Sequence, residues 1–473
     1  MSEPQHRENN MSHYKPDPSK SVNLFINGYP VKVPEGTTIL EAARKIKVSI
    51  PTLCDHPDLC RRGFCRLCVV ECDGRGKLVA SCVTEVWEGV RVVTHNLRLL
   101  SIRKTIIELL MANHAPECLI CAKHNNCDLQ NLSLVFNADE SLFGNNFGSP
   151  DTREVSGNTL VRDMRKCIKC GRCVDMCQEV QTVRAINSSR RSVDFEITTP
   201  YKQPLTEGPC AFCGQCAEVC PVGAIYGHDQ AEEIGKLLNG RQPKTAQVSE
   251  AAAAAIAAEL GADKKEITKG KIVSALGALG FGKVYDADIT GEMAKAQKYR
   301  EFLERTGSNK KLPLISSCSA GFVNYVKEYF PDLLDHMSVC GSPELFFNEI
   351  IRKNTYGIPE ANTEKILTVS LVPCLAKKYS VNYALLPQEF IHLLWKKGID
   401  LQTLDETPFD DFAGDMKYGA VQAEVNLAGR PVKISRVYGI ANAGIALEEI
   451  RAGRYGADIL EVMDCPDKCA AGQ

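Results

Sequence analysis

Two short runs constrain the fold of this chain more than anything else in it: CIKCGRCVDMC at 167–177 and CAFCGQCAEVC at 210–220, both spaced C-x2-C-x2-C-x3-C. Four sulfurs so close together cannot all be packed as apolar core, so each segment has to fold around something that binds them. Of the 473 residues 22 are cysteine, and two further short-spaced groups run from Cys54 to Cys82 and from Cys118 to Cys127. Disulfide frameworks join distant segments in oxidising compartments, whereas clustered thiols in a reducing compartment serve metal. The remaining composition, 44% hydrophobic and 24% charged, is that of a globular protein with several packed domains. A formal net charge of −2 without long runs of one sign offers no footprint for nucleic acid or an anionic membrane surface. The longest apolar run, Ala251–Ala258, is far too short to span a bilayer, and the polar start MSEPQHRENNMSHYKPDPSK has no secretory h-region. A cytoplasmic protein is expected, with neither nucleic acid nor membrane as partner.

Residues 1–20 read as a flexible polar lead. In VNLFINGYPVKVPEG two β-rich runs are joined by Asn27-Gly28, the dipeptide suited to a type I′ hairpin. TTILEAARKIKV follows, with Thr37 or Thr38 as N-cap and Ile39, Ala42, Ala43 and Ile46 on one helical face, a small β-grasp-like pattern. Leu97–Met111 is expected to be helical, and the Asn, Ser and Gly between 141 and 158 to form a loop. NGRQPKTAQ, around 240–247, reads as a linker. Beyond it helices (271–279, 322–329, 441–451) alternate with β-rich runs (283–286, 312–316, 365–372, 432–438, 459–463), which indicates an α/β domain with a largely parallel sheet. The fold class is therefore multidomain, α+β followed by α/β, with modules at 21–97, 98–157, 158–230 and 231–473.

Cys54, Cys65, Cys68 and Cys82 follow C-x10-C-x2-C-x13-C, placing two thiolates on one tight loop and one on each flank. That geometry suits two irons bridged by two sulfides, and iron takes the soft sulfur ligand that cysteine provides. Zinc would also accept four cysteines, but the preceding hairpin and helix fit an iron-sulfur domain better. Cys60 and Cys72 fall outside the spacing and read as ordinary thiols. HAPECLICAKHNNC supplies His114, Cys118, Cys121 and Cys127 as H-x3-C-x2-C-x5-C, for which a zinc site is again the chemical alternative. An imidazole ligand removes negative charge from the iron and raises a cluster's potential relative to thiolate.

The doubled run at 167–220 resembles that of bacterial two-cluster ferredoxins, in which the fourth cysteine of each run serves the other cubane. That resemblance pairs Cys167, Cys170 and Cys173 with Cys220, and Cys210, Cys213 and Cys216 with Cys177, leaving a 32-residue insertion between the runs. CDHPDLCRRGFCRLCVVEC, the one-His three-Cys group and the doubled run, in this order, resemble the N-terminal half of the large iron-sulfur subunit of respiratory complex I and of multi-cluster [FeFe] hydrogenases. LPLISSCSAGFVNYVKEYFPDLLDHMS, TVSLVPCLAKKYS and LEVMDCPDKC look like the three cysteine segments of the [FeFe] hydrogenase catalytic domain, extending the resemblance over 22–473. Each follows a β-rich run, so Cys318, Cys374, Cys465 and Cys469 are expected to converge at the carboxyl edge of one parallel sheet.

This sequence departs from the hydrogenase pattern. Where that family reads T-S-C-C-P-G-W, SSCSAGF keeps Cys318 at the proton-relay position and puts Ser319 at the cubane-ligand position. Where it reads M-P-C-x-A-K-K-x-E, Cys374 and Lys377 remain, Val372 replaces Met and Ser380 replaces the Glu of the proton path. QVSEAAA carries Glu250 in place of an apolar proline, and a buried carboxylate there would disfavour the neutral pocket that holds CO and CN ligands. The Gly-rich F-G-x-x-G-G segment is absent from DDFAGDMKYGAVQAEV, and the G-G-G-Q-P ending is reduced to AAGQ. No diiron unit is expected. A conventional [4Fe-4S] cluster on Cys374, Cys465 and Cys469 is, with Cys340 as the favoured fourth ligand and Cys318 or Ser319 as alternatives.

The cofactors implied are one [2Fe-2S], three [4Fe-4S] and that fourth [4Fe-4S] cluster. With no G-x-G-x-x-G after a strand, no P-loop and no flavin motif, the chain is not expected to exchange hydride with a nicotinamide itself. The resemblance implies an electron-transfer subunit of an electron-bifurcating transhydrogenase-type oxidoreductase. Its expected partners are a flavoprotein binding FMN and NAD(H), a small [2Fe-2S] subunit and ferredoxin, with an NADP(H)-binding subunit as a further candidate. A working or sensory [FeFe] hydrogenase and a degenerate structural scaffold are the alternatives.

Overall fold

The computed structural model describes residues 17, 19–73, 77–139, 141–143, 153–307, 311–351, 366–410 and 432–465. The chain divides into two compact units, the first built from 1–150, 165–172 and 221–223, the second from 151–164, 173–220 and 224–473.

In the first unit, strands β1 (Ser21–Ile26), β2 (Tyr29–Pro34), β3 (Val69–Cys72), β4 (Lys77–Ala80) and β5 (Arg91–Val93) form one mixed sheet in the order β2-β1-β5-β3-β4. Asn27 and Gly28 both take positive φ, 51° and 85°, so β1 and β2 close as the I′ hairpin the dipeptide calls for. β1 then pairs parallel with β5, and β5 antiparallel with β3. The helix Ile39–Lys45 lies over this sheet because Thr38, not Thr37, caps it: the Glu41 amide donates to the Thr38 hydroxyl and the Thr38 amide to the Glu41 carboxylate. Its Ile39, Leu40, Ala42 and Ala43 join Leu24, Ile26, Val31, Val70 and Val92 in one core. Each fully buried Val, Leu or Ile side chain among them contributes roughly 1.5–3 kcal/mol. Helices Leu97–Ala112 and Asp128–Val135 complete the unit.

In the second unit, β6 (Arg153–Ser156), β7 (Leu160–Asp163) and β10 (Ile225–Gly227) make an antiparallel sheet, and β8 (Asn187–Ser189) and β9 (Glu196–Thr198) a hairpin within the insertion. The stretch expected to loop between 141 and 158 thus ends in a strand; 144–152 lie outside the described residues. β11 (Lys244–Val248), β12 (Lys283–Asp286), β14 (Leu367–Leu371) and β15 (Ala384–Leu385) form a parallel sheet ordered β12-β11-β14-β15. β13 (Leu314–Ser317), β16 (Ile434–Tyr438) and β17 (Ile459–Met463) form a second parallel sheet ordered β13-β17-β16.

The structure departs from two expectations. The supposed linker contains a central strand, β11, whose polar residues hide it. Gln247, 1% exposed, donates to Ser370 Oγ at 2.7 Å, and Thr245 to Thr368 Oγ1 at 3.3 Å, so each donor finds a partner across the sheet. The cysteine segments do not share one sheet either: Cys374 follows β14 in one, whereas Cys318 and Cys465 follow β13 and β17 in the other.

Candidate metal centres

In the first unit Cys54, Cys65, Cys68 and Cys82 are brought together. Cys68 and Cys82 sulfurs lie 3.2 Å apart, and the Cys65 amide points at Cys54 Sγ at 3.5 Å. Hydrogen bonds from Cys65 and Cys82 pull the Cys54 thiol well below its usual range, and one from Cys82 lowers Cys68. The donors are correspondingly raised, Cys65 by Cys54 and Cys82 by Cys54 and Cys68. Four thiols sharing protons in one small space are a donor set suited to a cluster that replaces those protons with iron. Cys72 is buried in the same apolar core as Cys68 and Cys82, its thiol pushed up to about 11 by burial, and Cys60 is exposed.

His114 follows the helix Leu97–Ala112, and Cys118, Cys121 and Cys127 line the turns before Asp128–Val135. Burial raises the Cys127 thiol, and the charges of Cys121 and Cys118 reach it, so these three sulfurs are neighbours. Arg172 ties this group to two others: its Nη2 donates to the carbonyl of Asp55 at 2.7 Å, and its Nη1 stands 3.7 Å from the Asp128 carboxylate. Asp55 follows Cys54 and Asp128 follows Cys127 in the chain.

The two cubane runs use one backbone device. Lys169 and Phe212, the second residue after Cys167 and Cys210, take positive φ of 56° and 47°, and their amides donate to Cys167 Sγ and Cys210 Sγ, each at 3.4 Å. Such strained residues cost energy and persist where the surroundings use them. Amide dipoles aimed at sulfur favour the thiolate form that iron needs. Within the second unit Cys177, Cys210, Cys213 and Cys216 meet: burial raises all four thiols, and the charge of Cys177 reaches each of the other three. Cys177 also accepts from the Ala185 amide at 3.2 Å, and Cys220 acts on Cys216. Cys173 and Cys220 are buried, Cys170 too, and Cys167 is partly exposed. Buried thiols that water cannot ionise suit a bound cation that can. Among the described residues no three His, Cys, Asp or Glu groups surround a point fit for a single metal ion; cluster thiolates bind different irons and need not.

The hydrogenase-like half presents a different chemistry. Ser319, 3% exposed, donates its hydroxyl to the carboxylate of Asp464, 1% exposed, which also accepts from Ser317 Oγ at 3.2 Å and from Cys318 Sγ at 3.9 Å. Burial pushes the Asp464 carboxyl up to about 6, and the Cys318 thiol is driven well up by burial and by Asp464. Asp464 immediately precedes Cys465, and its charge raises the thiols of both Cys318 and Cys213. The sequence reading missed it; an acidic residue ending the buried strand β17 was the available signal. Cys374 lies within electrostatic reach of Cys318. Lys377 bonds Glu344 at 2.9 Å, and that carboxylate holds its ammonium above the usual range. Ser380 is buried and accepts from the Ala320 amide at 3.1 Å. Cys340 faces the Ala294 carbonyl at 3.6 Å, on a loop whose Ser338 hydroxyl and Val339 amide both donate to Glu301. Glu250, expected as a buried carboxylate, is exposed at the start of the helix Glu250–Glu259, so it places no charge in a pocket. Cys469, most of DDFAGDMKYGAVQAEV and the AAGQ ending lie outside the described residues.

The cubane loop and this half pack directly together in the second unit. Phe212 stacks on Tyr379 with centroids 4.2 Å apart and planes 3° from parallel. A Cβ on Gly321 would overlap the Ala211 carbonyl oxygen, and one on Gly214, at φ +77°, would sit 2.5 Å from Leu375 Cβ. Gln181 joins them from a third side, donating to the Asp464 carbonyl at 2.9 Å and accepting from the Ile440 amide at 3.0 Å.

Comparison with known proteins agrees with this order of modules. Residues 19–97 match the 2Fe-2S iron-sulfur cluster binding domain, 103–141 the NADH-ubiquinone oxidoreductase-G iron-sulfur binding region, and 127–226 the ferredoxin-like domain of NADH-quinone oxidoreductase subunit 3. Residues 242–422 and 416–473 match the C-terminal domain of the iron only hydrogenase large subunit. The NADP-reducing hydrogenase subunit HndD of Solidesulfovibrio fructosivorans is 32% identical over 95% of this chain and 88% of its own length. Iron hydrogenase 1 of Clostridium pasteurianum is 28% identical over 76% of this chain and 63% of its own. The mitochondrial NADH dehydrogenase iron-sulfur protein 1 of Solanum tuberosum is 34% identical over 44% of this chain and 28% of its own. Relatives among these belong to oxidoreductase complexes of the hydrogenase and NADH dehydrogenase types, and with HndD matched over 88% of its length, the chain belongs to the family of hydrogenase-like large subunits that join 2Fe-2S and complex I-type 4Fe-4S domains to an iron only hydrogenase C-terminal domain.

Proposed function

We propose that this chain is the electron-transfer subunit of a cytoplasmic, flavin-based and electron-bifurcating NAD(P)/ferredoxin oxidoreductase, without hydrogenase chemistry of its own. In this reading residues 21–97 are a β-grasp domain whose Cys54, Cys65, Cys68 and Cys82 hold [2Fe-2S]. His114, Cys118, Cys121 and Cys127, in 98–157, hold one [4Fe-4S] cluster. In 158–230, Cys167, Cys170 and Cys173 with Cys220, and Cys210, Cys213 and Cys216 with Cys177, hold two more. Cys374, Cys465 and Cys469, in 231–473, hold a fourth with Cys340 or Cys318. When bound, such clusters supply reversible one-electron transfer. The protein's share is to hold the thiolates, aim amides at them and keep them dry. Hydride exchange with NAD(H), and with NADP(H) where that subunit is present, falls to partner flavoproteins, with a small [2Fe-2S] subunit and ferredoxin completing the assembly.

The observation that carries the reading is the pair Ser319 and Asp464. A hydroxyl bonded to a buried carboxylate occupies the position that the hydrogenase resemblance gives to a cubane thiolate. No helix among the described residues is long and apolar enough to cross a membrane. A hydrogenase with an altered pocket is the second reading, favoured by Cys318, which sits at the relay position beside Asp464, and by the name of the relative HndD. Hydrogen turnover and infrared spectra of the protein co-expressed with hydrogenase maturation factors separate the two. The proposed function expects no hydrogen evolved or consumed and no CO or CN bands, and clear bands would replace it with the second reading.

A further inference from the structure

Arg103, in the helix Leu97–Ala112, is 3% exposed. Its Nη2 donates to the carbonyl of Val69 at 2.7 Å, the residue that follows Cys68. Its Nε is buried and meets no hydrogen-bond acceptor among the described residues. A buried guanidinium without an anion is expensive, and a buried N–H without an acceptor adds about 1–3 kcal/mol. Burial disfavours its charge, and the nearby Cys68 sulfur acts in part against this.

We infer that Arg103 is the counter-charge of the [2Fe-2S] centre: held by the Val69 carbonyl, it places a permanent cation and an unused N–H donor against the Cys68 side of the cluster. The inference rests on the assignment of Cys54, Cys65, Cys68 and Cys82 as its ligands. Adding an electron makes the centre more negative, so a fixed neighbouring cation stabilises the reduced form more than the oxidised one. Hydrogen bonds to cluster sulfur act in the same direction. Arg103 therefore raises the midpoint potential and makes this centre an easier electron acceptor than its four thiolates alone would. It is a positioning residue that exchanges no electron itself.

The test is an EPR-monitored redox titration of the full protein and its Arg103→Met, Arg103→Gln and Arg103→Lys variants. Arg103→Met should move the midpoint negative by at least a tenfold change in the reduced-to-oxidised ratio at fixed poise, about 59 mV for one electron. Arg103→Lys, which keeps the charge, should recover most of the shift. Where the Met variant assembles no cluster, Arg103→Gln carries the same measurement. An intact [2Fe-2S] signal with an unmoved midpoint in the charge-removing variant would overturn the inference and leave Arg103 as a structural bond to Val69. Absence of any [2Fe-2S] signal from the unsubstituted protein would instead refute the ligand assignment.

Discussion

Ser319 donates a hydrogen bond from its hydroxyl to the buried carboxylate of Asp464, the residue before Cys465. The bond joins the loop after β13 to the loop after β17, neighbouring parallel strands, and Ser317 adds a second bond to the same carboxylate. Asp464→Ala removes the acceptor from two hydroxyls in a dry site. It should cost about 1–3 kcal/mol of stability, read from the denaturant transition of the C-terminal half, whereas Ser319→Ala, which leaves Asp464 its Ser317 bond, should cost less. Equal losses, or none, would show that the network does not hold these loops.

Gly321→Ala drives a methyl group into the Ala211 carbonyl oxygen, between Cys210 and Phe212. The expected cost is about 1–3 kcal/mol, with an altered EPR signal from the cubane assigned to Cys177, Cys210, Cys213 and Cys216. Gly277→Ala is the control: it lies in the helix Lys269–Leu279 with nothing within 4 Å of the added carbon, and should be neutral or stabilise by roughly 0.5–1 kcal/mol. An unchanged cubane signal in Gly321→Ala would mean that the loop does not depend on this close approach.

The Cys340 loop depends on Glu301, which accepts from Ser338 and Val339 and bonds Arg305 at 2.6 Å in a buried ion pair. Arg305 also donates to the carbonyls of Asp335 and Met337. Breaking such a pair by removing one partner costs roughly 3–5 kcal/mol. Glu301→Ala should therefore speed hydrogen exchange at Val339 and Cys340 well above the rest of that unit; unchanged exchange there would contradict the clamp.

His336, buried just before this loop, donates from Nδ1 to the Pro313 carbonyl at 3.1 Å. Burial lowers its tendency to protonate, and the cations Lys311 and Arg305 add to that against Asp335. A lowered folded-state value means that the unfolded chain binds more protons, so this contribution is complete above about pH 6.5 and is lost as the pH falls below it. Thermal unfolding between pH 7.5 and 5.5 should show a steeper acid loss in the unsubstituted protein than in His336→Gln; equal slopes would exclude His336 as the source.

Much of this was legible in the sequence where chemistry is local. The strand spans Lys283–Asp286 and Ile459–Met463 and the I′ turn at Asn27-Gly28 were readable because apolar runs and turn residues declare themselves. β11 was not, since Thr245 and Gln247 look like loop until Thr368 and Ser370 stand opposite. The split into two parallel sheets was illegible because alternation shows that strands exist and not which ones pair. Asp464 and Arg103 were passed over because their importance lies in what the fold buries beside them, and Glu250 was overvalued because its exposure could not be read from its position in a motif.

The C-terminal half is proposed to carry a conventional [4Fe-4S] cluster in place of a diiron site. The most direct measurement is iron content, with EPR spectra, of anaerobically prepared Cys374→Ala against the unsubstituted protein. Loss of about four irons with the N-terminal signals intact is the predicted result. Unchanged iron and unchanged spectra would contradict this cluster and leave the domain an empty scaffold.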